Sequence, residues 1–325
     1  LGRRVPTRGS NGARRARRGV GTAELSGPAT VVLSYIGLDG IVRTSRLHFD
    51  PRSTRLTVNG ATYHIDLPPQ QTTAIFLTVS CNKPAATETP VPFYRGLLAH
   101  RREMRRAWSG ATNIETSNNI FNEVLCQSMA DLNILMTETP HGRYPYAGIP
   151  WYSTTFGRDG LITALQMLWI DPGIARGVLK RLAAFQATSV DPLADAEPGK
   201  ILHEMRGGEM AALREVPFAQ YYGSVDSTPL FVLLAGLYVE RTGDAAILET
   251  QIAFLEGRLL EPGEHDAFFQ PGTSADTASL YSHCALALDQ SMALTGALGI
   301  PLIGAGDWNA GMNRVGAGGT GRNVG

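Results

Sequence analysis

Chemistry-bearing side chains gather in two stretches of this sequence. Trp151-Tyr152 and Phe156-Gly157-Arg158-Asp159 stand in the first; His203-Glu204-Met205-Arg206 and Tyr221-Tyr222-Gly223-Ser224-Val225-Asp226 stand in the second. Flat aromatic faces suit the C–H side of a pyranose, and charged, fork-shaped groups suit its hydroxyls. Glu204 and Asp226 are candidate acid/base groups, because glycoside hydrolysis commonly uses two carboxylates across the scissile bond. Their separation is not readable from sequence, and a solvated, inert carboxylate is the competing reading for each. Arg158-Asp159 sits where a helix begins, so free backbone N–H groups and the helix dipole would stabilise the Asp159 anion. The plainer alternative is that Asp159 caps the helix and Arg158 pairs with it.

Other chemistries find less support. His203, His265 and His283 have no zinc-ligand spacing, and neither a Ser–His–Asp order nor a phosphate-cradling loop is evident. Gly316-Ala317-Gly318-Gly319 follows no strand and reads as a turn. The three cysteines, Cys81, Cys126 and Cys284, are far apart and without a C-x-x-C, which suits reduced thiols in a cytoplasmic setting.

The elements that must carry these residues follow from periodicity. Phe121, Val124, Leu125, Met129, Leu132 and Met136 form one apolar stripe. Leu161, Ile162, Leu165, Leu168 and Trp169 form a second, and Ile174, Val178, Leu182 and Phe185 a third. Leu230, Leu233, Leu234 and Leu237 make a fourth, with Asp226-Ser227 as cap and Pro229 just inside the start. Leu280, Cys284, Leu288 and Met292 mark a later helix. Tight turns such as Ile170 to Gly173 alternate with long polar loops, Val190 to Tyr222 being the longest, and a loop of that length is usually functional. Helical hairpins so joined predict a toroid with its site on the long-loop face.

Upstream the pattern is β. Val31 to Tyr35, an Asp39-Gly40 turn and Ile41 to Phe49 predict a hairpin, with further short strands at Leu56 to Val58, Tyr63 to Leu67 and Ala74 to Val79. These predict a small sandwich-like domain of structural role. The expected organisation is a disordered basic segment over 1–27, the β domain over 28–82, a linker and basic helix over 83–115, and the toroid over 116–325.

Composition bounds the partners. In 325 residues, 43% apolar, the net charge is +0, so no global field points to nucleic acid or membrane. Seven arginines crowd the first eighteen residues, but no aromatic interleaves them to stack on bases. No leader or long apolar run is present in the sequence, which predicts a soluble, cytoplasmic chain.

Three strings carry a family resemblance. Trp-Tyr-Ser-Thr-Thr-Phe-Gly-Arg-Asp-Gly-Leu-Ile-Thr at 151–163, Glu-Pro-Gly-Lys-Ile-Leu-His-Glu-Met-Arg at 197–206 and Tyr-Tyr-Gly-Ser-Val-Asp-Ser-Thr-Pro-Leu-Phe at 221–231 resemble the bacterial amylo-α-1,6-glucosidase family. So does the β region, through Gly37-Leu38-Asp39-Gly40 and Arg46 to Asp50. The resemblance implies a mainly α (α/α)6 toroid behind a small β domain, no cofactor, and inverting hydrolysis of α-1,6-glucosidic linkages in an α-glucan. By motif position Arg158 and Asp159 would hold the non-reducing glucose, with Trp151, Tyr152, Glu204, Arg206, Tyr222 and Asp226 around it. Beyond about Ala245 the sequence is more similar to the phosphorylase-type toroid of cyclic β-glucan synthases, through Ser279 to Cys284 and Gly299 to Gly316. That family normally reads Asp-Trp-Asn-Asp-Gly, its second Asp being the proton donor; here Asp307-Trp308-Asn309 is followed by Ala310. Loss of a general acid forfeits about 10²–10⁴ in rate. Asp307 is then the remaining catalytic candidate there, with Trp308 as a sugar contact. The pattern also ends before the helices of a full ring are complete. Two further readings stay open: a non-catalytic oligosaccharide-binding module, and phosphorylase-like β-glucan processing.

Overall fold

The protein is described by a computed structural model covering residues 19–81, 92–150, 152–192, 194–213, 220–256, 272–303 and 323–324. Trp151, Asp307, Trp308, Ala310, the Gly316–Gly319 turn, most of the proposed linker and the arginine run lie outside the described residues. The chain divides into two compact units, Leu1–Arg102 and Glu103–Gly325.

The first unit is built on an antiparallel sheet. Strands β1 (Val20–Leu25), β2 (Thr30–Ile36) and β3 (Val42–Asp50) are followed by a small hairpin, β4 (Arg55–Thr57) with β5 (Gly60–Thr62), and by β6 (Phe76–Cys81). The sheet order is β1-β2-β3-β6, with Val31 opposite Leu47 and Leu47 opposite Val79. The predicted hairpin at Asp39-Gly40 is present. Gly40 takes the positive φ of 72° that the turn needs, and Asp39 accepts from the Ile41 amide at 3.1 Å and pairs with Arg43.

Three expectations for this unit change. Residues 20–25, assigned to the disordered segment, form strand β1, which pairs along its full length with β2 while every one of its side chains stays exposed. With neither face buried, the alternation that betrays a strand is missing. Tyr63 to Leu67 is not a strand, and the second sheet of a sandwich is represented among the described residues only by the β4–β5 hairpin.

The second unit is helical. Helix α1 (Phe93–Ser109) begins in the first unit, where Phe93 stacks on Phe76 at 4.8 Å. Then come α2 (Asn119–Leu135), the hairpin β7 (Met136–Thr139) and β8 (Gly142–Pro145), α3 (Gly157–Met167) and α4 (Pro172–Ala184). The ribbon pair β9 (Glu204–Met205) and β10 (Gln220–Tyr221) encloses the short α5 (Glu209–Ala212) in sequence. It leads to α6 (Ser227–Thr242), a 3₁₀ turn over Ala245–Glu249, the pair β11 (Gln251–Glu256) and β12 (Gly272–Ser279), α7 (Leu280–Ala293) and the two-residue strands β13 (Leu302–Ile303) and β14 (Asn323–Val324).

Helices α3 and α4 form a hairpin as predicted. Asp171 caps α4 by accepting from the Gly173 amide at 3.0 Å, and Pro172 occupies the first turn, where its missing N–H costs nothing. Leu161 and Ala164 of α3, Ile174, Val178, Leu179 and Leu182 of α4, and Phe231 and Leu234 of α6 are 0–2% exposed. Each large apolar side chain so buried contributes roughly 1.5–3 kcal/mol. Helix α2 departs from its predicted stripe. None of its residues is fully buried; Met129 and Leu132 pack against the core, whereas Phe121 and Val124 face out. In α7 the buried line is Leu280, His283 and Ala287, while Leu288 and Met292 are exposed.

Candidate functional site

The site is organised by backbone. The Met205 amide donates to the Thr155 carbonyl at 3.1 Å, the Gly157 amide to His203 O at 2.8 Å, and the His203 amide to Tyr221 O at 2.8 Å. Segments 154–157, 203–205 and 220–221 therefore run side by side as a narrow ribbon, with Phe156 bridged to Glu204. The ribbon ends directly in the first turn of α3, which carries Arg158 and Asp159. Only glycine fits at 157, because a Cβ there would lie 1.9 Å from the Leu202 carbonyl oxygen; at 160 it would lie 2.3 Å from the Tyr144 hydroxyl. Two glycines thus let α3 start hard against its neighbours.

Two guanidinium–carboxylate pairs stand on this frame. Arg206 Nε donates to Glu204 Oε1 at 2.5 Å, and Arg158 Nε contacts Asp226 Oδ2 at 2.6 Å. The Arg206 guanidinium also lies over two rings, 5.7 Å from the centre of Tyr152 and 5.3 Å from that of Phe156. Tyr152 is exposed and Phe156 buried, so the outer ring offers a free aromatic face while the inner one is part of the core.

The carboxylates differ electrically. Burial pushes Glu204 above its ordinary range; Arg206 opposes that shift and the nearby Asp159 charge adds to it. Burial also pushes on Asp226, but hydrogen bonds from Arg158 and Ser224 outweigh it and hold Asp226 below the usual carboxylate range. One group is poised to take a proton more readily than a free carboxylate, and the other to remain an anion.

The predicted residues fall out as follows. Tyr152, Arg158, Asp159, Glu204, Arg206 and Asp226 sit on the ribbon or on the helix starts beside it, and the Asp159 charge is felt at Glu204. Arg158 pairs with Asp226 rather than with the adjacent Asp159, and Asp159 lies exposed in the first turn, beyond the N-cap residue Phe156. Asp226 occupies the N-cap position of α6 but makes no side-chain cap bond; Ser224 Oγ accepts from the Ser227 amide at 3.3 Å instead. Tyr222 turns inward: it is 6% exposed and its hydroxyl donates to Phe185 O at 2.8 Å, tying the end of α4 to the ribbon.

Sequence reasoning passed over the residues behind the ribbon. Thr155 is fully buried and accepts from Arg181 Nε at 2.7 Å; Tyr144 donates to Phe156 O at 2.7 Å. A signal for Arg181 existed. It occupies the i+7 place of the stripe Ile174, Val178, Phe185, where an apolar side chain is the rule. Among the described residues no group of three or more His, Cys, Asp or Glu is placed to hold a metal ion.

Residues 8–78 match the N-terminal domain of (some) glycogen debranching enzymes, and residues 152–324 match the catalytic domain of the glycosyl hydrolase 94 superfamily. Over 220 residues, 67% of this chain, it is 32% identical to the cyclic beta-(1,2)-glucan synthase NdvB of Rhizobium meliloti (strain 1021). The chain spans about 7% of that relative's length. Both resemblances read from the sequence are therefore present, and the second begins further upstream than expected: the three site strings lie almost wholly inside the catalytic-domain match. With more than half of its length in that match, the chain belongs to the glycosyl hydrolase 94 superfamily.

Proposed function

We propose that this chain holds the end of a β-linked glucan, of the β-1,2 kind, in the site bounded by Tyr152, Arg158, Asp159, Glu204 and Arg206, on one flank of an (α/α)6 toroid. The observation that carries the reading is the pair of carboxylates, each already fixed by a guanidinium at 2.5–2.6 Å, with the Arg206 of one pair over the exposed ring of Tyr152. Ion pairs of this kind present oriented lone pairs and N–H groups to sugar hydroxyls without reorganising, and the ring supports the apolar sugar face. The similarity to a cyclic beta-(1,2)-glucan synthase favours the β-linkage. Bond cleavage by this sequence is slow in the proposal, because Ala310 stands where the resembling family places its proton donor.

A specific observation favours one competitor. The match of residues 8–78 to a glycogen-debranching N-terminal domain points to an α-1,6-branched glucan, cleaved with inversion, on the same site. Titration calorimetry separates the two. β-1,2-Glucooligosaccharides are expected to bind with millimolar or tighter Kd, and Arg158→Ala to weaken binding by about tenfold or more. Heat from a branched maltodextrin alone would transfer the site to α-glucans, and no heat from either sugar at millimolar concentration would remove the sugar reading.

A further inference from the structure

Arg181 is one of two buried cations of the helical unit among the described residues, the other being Lys200, and the sugar contacts proposed above do not use it. It lies on α4 at 7% exposure, and its guanidinium carbon sits 5.0 Å from the Phe185 ring centre and 5.7 Å from that of Tyr144. No carboxylate pairs with it among the described residues; its one hydrogen bond there runs from Nε to Thr155 Oγ1 at 2.7 Å. Burial holds its pKa down, against the opposing influence of Tyr146 and Tyr144. A buried charge without a counter-ion costs stability. For packing between Tyr144 and Phe185 alone, an uncharged methionine of similar reach would serve.

What the cation accomplishes is visible in the segment that it holds, 26 residues earlier in the chain. Arg181 fixes the Thr155 side chain, and Tyr144, in contact with Arg181, fixes the carbonyl of Phe156 at 2.7 Å. Thr155 O in turn receives the Met205 amide, Phe156 bridges to Glu204, and Gly157 opens α3 with Arg158 and Asp159 after it. We propose that Arg181 is a positioning residue for the sugar site: with Tyr144 it clamps residues 155 and 156 from behind, and so sets where Arg158, Asp159 and Glu204 stand. This rests on the site reading given above only for its consequence on sugar affinity; the clamp itself is a statement about the ribbon.

The test uses the full chain with Arg181→Met, Thr155→Val, Thr155→Ser and the Arg181→Met/Thr155→Val double variant. Amide hydrogen exchange at Met205 and Gly157, the thermal midpoint, and the calorimetric Kd for a β-1,2-glucooligosaccharide are measured on each. Arg181→Met is expected to keep or raise the midpoint while protection at Met205 and Gly157 falls about tenfold or more and Kd weakens by a similar factor. Thr155→Val is expected to reproduce the loss, Thr155→Ser to retain protection, and the double variant to be no worse than either single one. Unchanged protection at Met205, or protection lost uniformly through α3 and α4 together with a lower midpoint, overturns the proposal. If Arg181→Met fails to fold, the isosteric Thr155→Val decides by the same exchange readout. Should the unaltered protein give no heat with sugar, the functional reading falls, while the exchange result still decides the clamp.

Discussion

Glu204 and Asp226 carry the same chemical group into different settings. Burial dominates at Glu204, and its folded pKa is raised; hydrogen bonds win at Asp226, and its folded pKa is lowered. The signs then oppose. The Asp226 contribution to stability is fully present above the unfolded value of 3.8 and is lost as pH falls through the lower folded value. The Glu204 contribution is present below 4.5 and is lost as pH rises through its folded value. Asp226→Asn should therefore flatten the acid limb of a plot of thermal midpoint against pH, and Glu204→Gln should flatten the limb above 4.5. At neutral pH, Asp226→Ala should cost about 1 kcal/mol, a modest figure because the Arg158–Asp226 pair is partly exposed. An acid limb identical to that of the unaltered protein would show that the ion pair does not form. The residue types of this site were legible in the sequence, since aromatic, Arg–Asp and Glu–x–Arg strings announce themselves. Their pairing was not. Local rules pair Arg158 with Asp159 and make Asp226 a cap, whereas the fold brings Arg158 to Asp226 from a different helix and leaves capping to Ser224.

At the scale of elements, the hairpin at Asp39-Gly40 and the helices α3, α4, α6 and α7 follow from turn chemistry and apolar spacing. The ribbon of β9 and β10 does not, because two-residue strands hold no periodicity and exist through hydrogen bonds to each other and, for β9, to segment 154–157. Helix α7 shows a second way the pattern misleads. Its buried line includes His283, a polar residue that is fully enclosed because Gln186 at the end of α4 answers it: His283 Nδ1 lies 2.7 Å from Gln186 Oε1, and Gln186 Nε2 donates to Gly199 O at 2.9 Å and to His283 O at 3.0 Å. The pair welds α4 to α7 and to the loop that leads into Glu204. Replacing Gln186 by Leu fills the space but takes the partner from His283 Nδ1 and Gly199 O, and leaves His283 O with its helical bond alone. We expect a loss of about 2–4 kcal/mol, read by denaturant unfolding at pH 7.5. Burial also depresses the His283 pKa, so its contribution is present above the unfolded value of 6.5 and is lost as pH falls. The penalty of Gln186→Leu should accordingly be measured above that value. A loss under about 0.5 kcal/mol would mean that the two helices are held by apolar packing alone.

On the scale of the molecule, the chain's neutral net charge leaves its surface chemistry to be decided by apolar patches, and the first unit has one. Along β6 the inward residues Phe76, Thr78 and Ser80 are half-buried, while Leu77 and Val79 are 53% and 54% exposed. They stand opposite Phe49 and Leu47 of β3, and Leu33 of β2, on the same face, is also exposed. Antiparallel sheets are stable with one wet face when that face is polar; here Val31 on the same face is enclosed, but the part that is wet carries leucine and valine. The patch lies on an edge strand of the sheet, which has no flanking partner among the described residues, and that combination favours chain-to-chain pairing. Leu77→Lys together with Val79→Glu should therefore reduce the concentration dependence of light scattering severalfold and lower the emission of a bound hydrophobic dye. Because both side chains already face water, the unfolding free energy should shift by no more than about 1 kcal/mol. A scattering slope unchanged by the two charges would locate self-association elsewhere, and a large drop in stability would mean that this face is covered in solution.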